Sequence, residues 1–417
     1  MYVQMPQSMD VVTCGRYVYR PTLAGSSGAF RYGRSYLDRP NAVPLDDIEL
    51  PLEDRTYTST RSDGMFGALR DASPDAWGRL VIQDATGRTD LDEMDYLLEA
   101  PEDRAGALTF GRGQAPPPPI RSFNRVLRLA DLLQAAEVVE RGAESPTDTR
   151  MQQARLLLEQ PGSLMGGARP KNVVEDGGAL WLAKFPSRKD TWNSAVVEAG
   201  LLALAEGCGI RTPRTRVVAV GDRSVLLVRR FDRDANPADD GGYWRHRLLS
   251  GLTLLNGDEG VIDRSGWSYL LLAAELQRRS ERPGVDRPEL FRRMVYNALV
   301  SNTDDHPRNH ALVAPTAAWH LAPAFDITPA PTPGQHERFL AMVAGPHGRL
   351  ARRANLIAGA PQFGLATSEA EAIIDQMTDT VRSSWERALR HQGATSADIA
   401  QVAPAFLDEG FWYDTIV

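Results

Sequence analysis

The sequence predicts an α+β protein in two lobes, a mixed one followed by a mainly helical one, with a small α+β domain in front. Three observations predict this. A glycine-rich stretch from Gly162 to Lys171 leads into the apolar run Leu180-Trp181-Leu182-Ala183, a helical period over Asn193 to Glu206 and a β-rich pair of runs around Gly221-Asp222. Beyond Phe231 the apolar spacing becomes mostly helical. Between the first domain and the lobes stands Gln114-Ala115-Pro116-Pro117-Pro118-Pro119, whose four prolines suit neither a helix interior nor a central strand. The expected organisation is a domain over 1–113, a Pro-rich linker over 114–125, a mixed lobe over 126–234 and a helical lobe over 235–417.

Within the first domain, short turn-punctuated segments such as Gly15 to Tyr19 read as strands, and helices are expected near Ser73 to Asp84 and Leu91 to Leu98. From Val126 to Arg141, Leu127, Leu129, Leu132, Leu133, Ala136 and Val139 recur at helical spacing. Ala179 to Phe185 reads as a strand. Asn193 to Glu206 reads as a helix that Gly207 and Gly209 stop, and Val217 to Val220 with Val225 to Val228 as a hairpin. Helices follow over Tyr269 to Gln277, Glu289 to Leu299, Glu369 to Arg390 and Ala397 to Leu407. Ser368 with Glu371 and Thr395 with Asp398 have the spacing of capping boxes.

Composition narrows the function classes. The 417 residues carry a net charge of −7, so there is no global basic field of the kind that holds nucleic acid by itself. Cys14 and Cys208 match no metal or redox spacing, and both read as packing residues of a reduced, cytoplasmic protein. No signal pattern and no apolar run of membrane-spanning length is present, so no membrane partner is expected. The seven histidines show no paired metal spacing, and no hydrolase nucleophile elbow occurs. Arg278, Arg279, Arg282, Arg292 and Arg293 read as a solvated helix face.

Lysine is almost absent: of 47 basic residues only Lys171, Lys184 and Lys189 are lysines. Arginine holds oxyanions with a planar fork, whereas lysine brings a compact ammonium on a flexible stem, one recurring use of which is contact with phosphate beside glycine-rich backbone. Lys171 closes the glycine stretch, and Lys184 ends the apolar strand. Lys189 reads as solvated. Gly166 and Gly167 permit close backbone approach to phosphate, although the stretch lacks the Gly-Lys-Ser/Thr ending of a Walker loop and could be a plain turn before a strand.

The chemistry is carried by Ser301-Asn302-Thr303-Asp304-Asp305-His306-Pro307-Arg308-Asn309-His310 and by Ala324-Phe325-Asp326. Asp304 lies five positions before Asn309, and Asp326 follows 17 positions later behind an aromatic residue, the order of a phosphoryl-transfer loop. In such loops the first Asp accepts the proton of the attacking hydroxyl, and the Asn and later Asp hold magnesium. Asn309 and Asp326 supply about the number of oxygen ligands that Mg²⁺ takes alongside phosphates and waters. The spacing favours Asp304 as base, while Asp305 and His306 could also reach a substrate. Lys184 at a strand end, followed by Glu198 on the next helix, repeats the order of a phosphate-binding lysine and its glutamate; an exposed helical acid is the plain alternative for Glu198.

With these residues in this order, the chain resembles the HipA family of bacterial serine/threonine kinase toxins. The resemblance rests on Phe66-Gly67-Ala68-Leu69-Arg70-Asp71-Ala72-Ser73-Pro74-Asp75-Ala76-Trp77-Gly78, on Gly166 to Lys171, on Arg230-Phe231-Asp232-Arg233 and on the Asp304 loop. It implies a two-lobed protein-kinase-like fold and ATP with Mg²⁺ as cofactors. Gly166, Gly167, Ala168, Arg169, Pro170, Lys171 and Lys184 would contact phosphates, and Arg229, Arg230 and Phe231 would form the adenine hinge. Asp304 would be catalytic, His306 and Asn309 its loop partners, and Asp326 a magnesium ligand. It further implies a protein substrate, with aminoacyl-tRNA synthetases as target class, and a helix-turn-helix antitoxin through which alone the chain would meet DNA. Family members that phosphorylate a serine of the glycine loop switch themselves off; aligning on Gly167 and Lys171 puts Leu164 there, with Ser163 one residue earlier. A small-molecule kinase and a catalytically inactive antitoxin-binding subunit are the alternative readings.

Overall fold

The structure is a computed structural model that describes residues 1–22, 25–118, 123–141, 169–238, 241–258, 264–332 and 337–413. The chain forms two compact units. The first comprises Met1–Arg188, Val218–Leu249 and Val313–Ala317, and the second Lys189–Val217, Ser250–Leu312 and Ala318–Val417.

In the first unit, Tyr2–Gln4 is the central strand of a three-stranded antiparallel sheet between Val11–Thr13 and Leu108–Thr109. A second such sheet is built from Gly15–Arg20, Ser27–Tyr32 and Thr56–Ser59. The helix Ala76–Thr86 starts where Asp75 accepts the Gly78 N–H at 2.7 Å, and it ends at Gly87 in the left-handed region. The helix Glu93–Glu99 begins with a full capping box of Asp92 and Asp95.

A five-stranded sheet runs in the order Thr215–Val220, Arg223–Arg229, Ala179–Lys184, Lys171–Asp176, Asn124–Arg125. The strand Lys171–Asp176 is an addition to the sequence reading, which ended its loop at Lys171. Gly177 and Gly178 both have positive φ, 58° and 69°, and join it to Ala179–Lys184 as an antiparallel hairpin. The register sets Lys171 directly opposite Lys184, and in a pleated pair directly opposed side chains share one face.

The period read over Val126 to Arg141 appears as a 3-10 turn, Val126–Arg128, and the helix Leu129–Arg141. Its Leu129, Leu132, Leu133, Ala136 and Val139 pack with Val174, Ala183, Val225 and Leu227 of the sheet. Trp77 and Val81, from the first domain, belong to the same core. Burial of a large side chain contributes about 1.5–3 kcal/mol, so this shared core binds the N-terminal segment to the sheet. The first compact unit therefore runs across the proline stretch instead of ending at it.

In the second unit, Ser194–Gly207 begins where the Asn193 side chain accepts the Val196 N–H, and it packs along the long helix Thr367–His391. The segment carrying Glu198 thus clusters with the helical unit, whereas the sequence limits set it in the mixed lobe. Helices Tyr269–Arg279 and Pro283–Leu299 pack on each other. The second starts six residues before the expected Glu289, since Pro283 is tolerated in a first turn.

The capping box expected at Thr395 and Asp398 is present. The one expected at Ser368 and Glu371 is not: the helix starts earlier, and Glu369 accepts the Ala366 N–H at 2.8 Å. Cys14 and Cys208 are buried free thiols, both pushed up to about 12 by burial. No helix among the described residues is long and apolar enough to cross a membrane.

Asp46 is fully buried, and one of its carboxylate oxygens accepts the Ile48 N–H at 2.7 Å. Burial first, with Glu49 and Asp71 adding, raises its pKa to about 7. Between about pH 4 and about pH 7 the native state then binds more protons than the unfolded chain, so Asp46 makes stability fall as pH rises through this window. The Asp46→Asn variant should lose that slope and gain most over wild type above about pH 7, read as urea midpoints along a pH series.

Candidate active site

The chain enters the Asp304 loop from the helix Pro283–Leu299. Asn302 N–H donates to the Asn297 carbonyl at 2.9 Å, and Ser301 takes a left-handed conformation, φ 52°. The Ser301 hydroxyl donates to Ala405 O at 2.6 Å, and its carbonyl accepts the Ala330 N–H at 2.9 Å. The loop closes in a 3-10 turn, Pro307–Asn309.

The two adjacent aspartates part company. Asp304 is exposed, and Asp305 is 3% exposed. Asp305 Oδ2 accepts from the Tyr269 hydroxyl and lies 2.7 Å from His310 Nε2. Asn309 turns its amide back on the loop, donating from Nδ2 to the Asp304 carbonyl at 3.2 Å, and His306 N–H donates to the same oxygen at 2.7 Å. The backbone of Asp304 is thereby held from two sides while its carboxylate stays in solvent. His306 is partly exposed.

Gly251 allows this packing. Its N–H donates to His310 O at 2.6 Å, and a Cβ there would come within 2.5 Å of Pro307 O.

Asp326 is partly exposed and also left-handed, φ 59°. The strand leading to it is tied on both edges. Ala322 N–H donates to Ala311 O at 2.8 Å and Ala324 N–H to Arg211 O at 2.7 Å, while Ala322 O accepts from Arg293 at 2.5 Å. Arg293 is 3% exposed and is paired with Glu289 at 2.5 Å, so it leaves the solvated face assigned to it from sequence. Arg211 holds Asp286 at 2.9 Å and Glu289, and Asp286 also accepts the Leu321 N–H at 2.9 Å. Periodicity could not reveal this, because Arg293 meets the Ala322 carbonyl 29 residues away.

Ile210, Arg293, Tyr296, Asn297, Asp305 and Asn309 are among the residues that line a small cavity behind the loop. Among the described residues no cluster of three or more His, Cys, Asp or Glu forms a metal cage. Asn309 and Asp326 offer one amide and one carboxylate, a donor set that fits Mg²⁺ completed by phosphates and waters.

The other sequence candidates lie as follows. Lys184 is half-buried at the end of its strand, and Glu198 is 6% exposed on the helix Ser194–Gly207. Arg169 is partly exposed and Pro170 buried, its carbonyl accepting the Phe185 N–H. Ser163, Gly166, Gly167 and Ala168 lie outside the described residues.

Lys171 differs from expectation. It is 1% exposed, and its ammonium sits 2.7 Å from Asp75 Oδ2. The Trp77 indole N–H donates to its carbonyl at 3.1 Å. Asp75 and Trp77 thus use the Pro74-Asp75-Ala76-Trp77 motif to cap a helix and to grip Lys171.

Arg229 and Phe231 are partly exposed, but the Arg230 side chain is buried in an ion cluster. It donates to Asp103 at 2.6 Å and to both oxygens of Asp232 at 2.9 Å, while its N–H donates to Leu180 O. Burial opposes its charge, yet Asp103 and Asp232 hold its pKa above the usual arginine value. At that position only the backbone remains for a hinge contact.

With this geometry in place, the comparisons with known proteins decide the family. A family model described as the HipA-like C-terminal domain matches residues 163–385, more than half of the chain. The chain belongs to the HipA family. A second model, the HipA N-terminal domain, matches residues 14–111.

The HipA-family chain superposes on a chain of the Shewanella oneidensis MR-1 toxin–antitoxin complex of HipA, HipB and operator DNA with a TM-score of 0.70 and 17% identity, covering 100% of both chains. That likeness shows the fold. A curated Sinorhizobium fredii protein named "Putative kinase Y4mE" is 24% identical over 319 residues, 72% of this chain and 71% of its own. A structure of the Helicobacter pylori proinflammatory kinase CtkA aligns with 55% of this chain and 93% of its own at 13% identity and a TM-score of 0.37.

Replacing Lys171 by methionine would take the ammonium from the largely covered Asp75 carboxylate and leave it the Gly78 N–H. The expected loss is about 1.5–3 kcal/mol of stability, read as a lowered urea midpoint. An unchanged midpoint with weakened ATP binding would assign Lys171 to phosphate instead.

Proposed function

We propose that this HipA-family chain is an ATP- and Mg²⁺-dependent kinase that transfers the γ-phosphoryl group to a protein serine or threonine hydroxyl, as the toxin of a toxin–antitoxin pair. The observation that carries this reading is the division of labour between the two aspartates. Asp304 keeps an exposed carboxylate on a backbone fixed by Asn309 and His306, whereas the carboxylate of Asp305 is consumed by Tyr269 and His310. Asp304 is therefore the group free to take the proton of an attacking hydroxyl.

Asn309 and Asp326 would hold the magnesium, which when bound neutralises charge on the phosphate oxygens. Lys184, with Glu198 as its partner, would take the phosphate contact. Gly166, Gly167, Ala168, Arg169 and Pro170 would line the nucleotide, and Arg229 and Phe231, with the backbone of Arg230, the adenine. Family membership and a relative named as a kinase support the activity. The HipA–HipB–operator complex supports an antitoxin partner; a helix-turn-helix antitoxin through which the chain meets DNA is the form proposed. Two buried free thiols suit a reducing, cytoplasmic setting. An aminoacyl-tRNA synthetase is the substrate class proposed, and Ser163 the candidate for self-modification.

Purified protein with ATP and magnesium should label protein serine or threonine in a lysate. Asp304→Asn should cut the rate by about 10²–10⁴-fold while Mg-ATP still raises the melting temperature. Asp326→Ala should abolish labelling and weaken the magnesium-dependent part of ATP binding. Undiminished labelling by both variants would overturn the site; labelling confined to small alcohols would move the substrate class.

A further inference from the structure

We propose that Asp305, Tyr269 and His310 are positioning residues, a buried clamp centred on one carboxylate oxygen that fixes the direction in which Asp304 points. The proposal rests on Asp304 being the base of the kinase reading. Asp305 Oδ2 receives the Tyr269 hydroxyl and faces His310 Nε2 at 2.7 Å. Two donors converging on a single oxygen leave the carboxylate no freedom to rotate.

The Tyr269 ring meets the His310 ring edge-on, with centroids 5.6 Å apart. The Tyr269 hydroxyl in turn accepts from Asn297 Nδ2 at 3.2 Å, and Asn297 Oδ1 accepts from Asn302 Nδ2 at 3.0 Å. Asn302, Asp305 and His310 are all buried and all belong to this chain of bonds. The loop is therefore pinned before Asp304, directly after it, and directly after Asn309.

The two neighbours follow a turn, and their side chains part: Asp305 is buried and Asp304 exposed. Holding Asp305 inward fixes the backbone from which the exposed Asp304 carboxylate projects. A buried carboxylate costs several kcal/mol unless its lone pairs are filled, and here the Tyr269 hydroxyl and the His310 ring nitrogen fill them, with no lysine or arginine paired to it among the described residues. Arg293, which lines the same cavity, is engaged by Glu289 and Ala322 O, and its Nε and Nη1 have no hydrogen-bond partner among the described residues. Asp305 thus sits in a site whose polar contacts serve the loop, and misplacing a reacting group by about 1 Å lowers a rate by about 10²-fold.

The test compares Asp305→Ala, Asp305→Asn and Tyr269→Phe with Asp304→Asn, measuring kcat and KM for ATP together with hydrogen exchange of the 301–311 backbone. Asp305→Ala and Tyr269→Phe should lower kcat by about 10- to 100-fold with KM for ATP within about twofold, and the loop amides should exchange faster. Asp305→Asn keeps an oxygen for both donors and should restore most of kcat. If Asp305→Asn is as inactive as Asp304→Asn, Asp305 takes part in the chemistry and the clamp is wrong. If kcat and exchange are unchanged and only the melting temperature falls, the cluster is merely structural and the clamp is wrong again. Should Tyr269→Phe and Asp305→Ala loosen the loop while wild type labels no acceptor at all, the clamp stands and the kinase reading fails.

Discussion

The first compact unit depends on the buried carboxylate of Asp232. It accepts from Arg230 at 2.9 Å through both oxygens, from Arg233 at 2.8 Å and from the Gly106 N–H at 3.0 Å. Burial works against its charge, but Arg230 and Arg233 hold its pKa well below the usual carboxylate range. Arg233 is pushed down to about 9 by burial and by the neighbouring Arg230. Removing one member of such a buried group strands the others' charge, at a cost of about 3–5 kcal/mol, and that penalty ties residues 103–106 to the segment after Arg229. The N-terminal part therefore cannot be lifted from the sheet without exposing ions as well as the shared Trp77 core.

The near-exclusive use of arginine has a reading in this architecture. Arg104 donates to the carbonyls of Ala72, Leu97 and Ala100, and Arg233 to those of Gly106 and Arg104. Arg247 reaches Pro44, Thr316 and Ala317, and Arg338 reaches Pro404 and Ala405. Each fork serves several backbone carbonyls at once, which a lysine point charge cannot do in one fixed plane. Lys171 occurs where a single carboxylate is the target. Lys184 stands opposite it in the register, so two of the three lysines mark one face of one hairpin.

What could be read beforehand follows from what local chemistry encodes. The helices over Tyr269–Arg279 and Thr367–His391, the hairpin around Gly221 and the cap at Thr395 are each set by periodicity or by a side chain within four residues, and the sequence shows them. The spacing of Asp304, Asn309 and Asp326 is likewise written along the chain. Lys171–Asp176 was missed because its Lys-Asn-Val-Val-Glu-Asp pattern has only two apolar residues, and it becomes a strand by pairing with its neighbours. Asp75, Asp103 and Ala322, which Lys171, Arg230 and Arg293 respectively meet, lie 96, 127 and 29 residues away, and no local spacing reports them.

Two strained residues bear on the site more than its catalytic spacing does. Ser301 and Asp326 are both non-glycine residues in the left-handed region, a conformation that costs of order 1 kcal/mol or more and persists only where the surroundings over-determine it. Ser301 is over-determined by Ala405 and Ala330, and the approach to Asp326 by Arg211, Arg293 and Ala311. The bond from Ala330 to Ser301 also ties the segment after Asp326 to the start of the loop that carries Asp304. On the proposed kinase reading the strain has a use, since the Asp304 and Asp326 carboxylates would have to be aimed together, one at a hydroxyl and the other at a metal-bound phosphate.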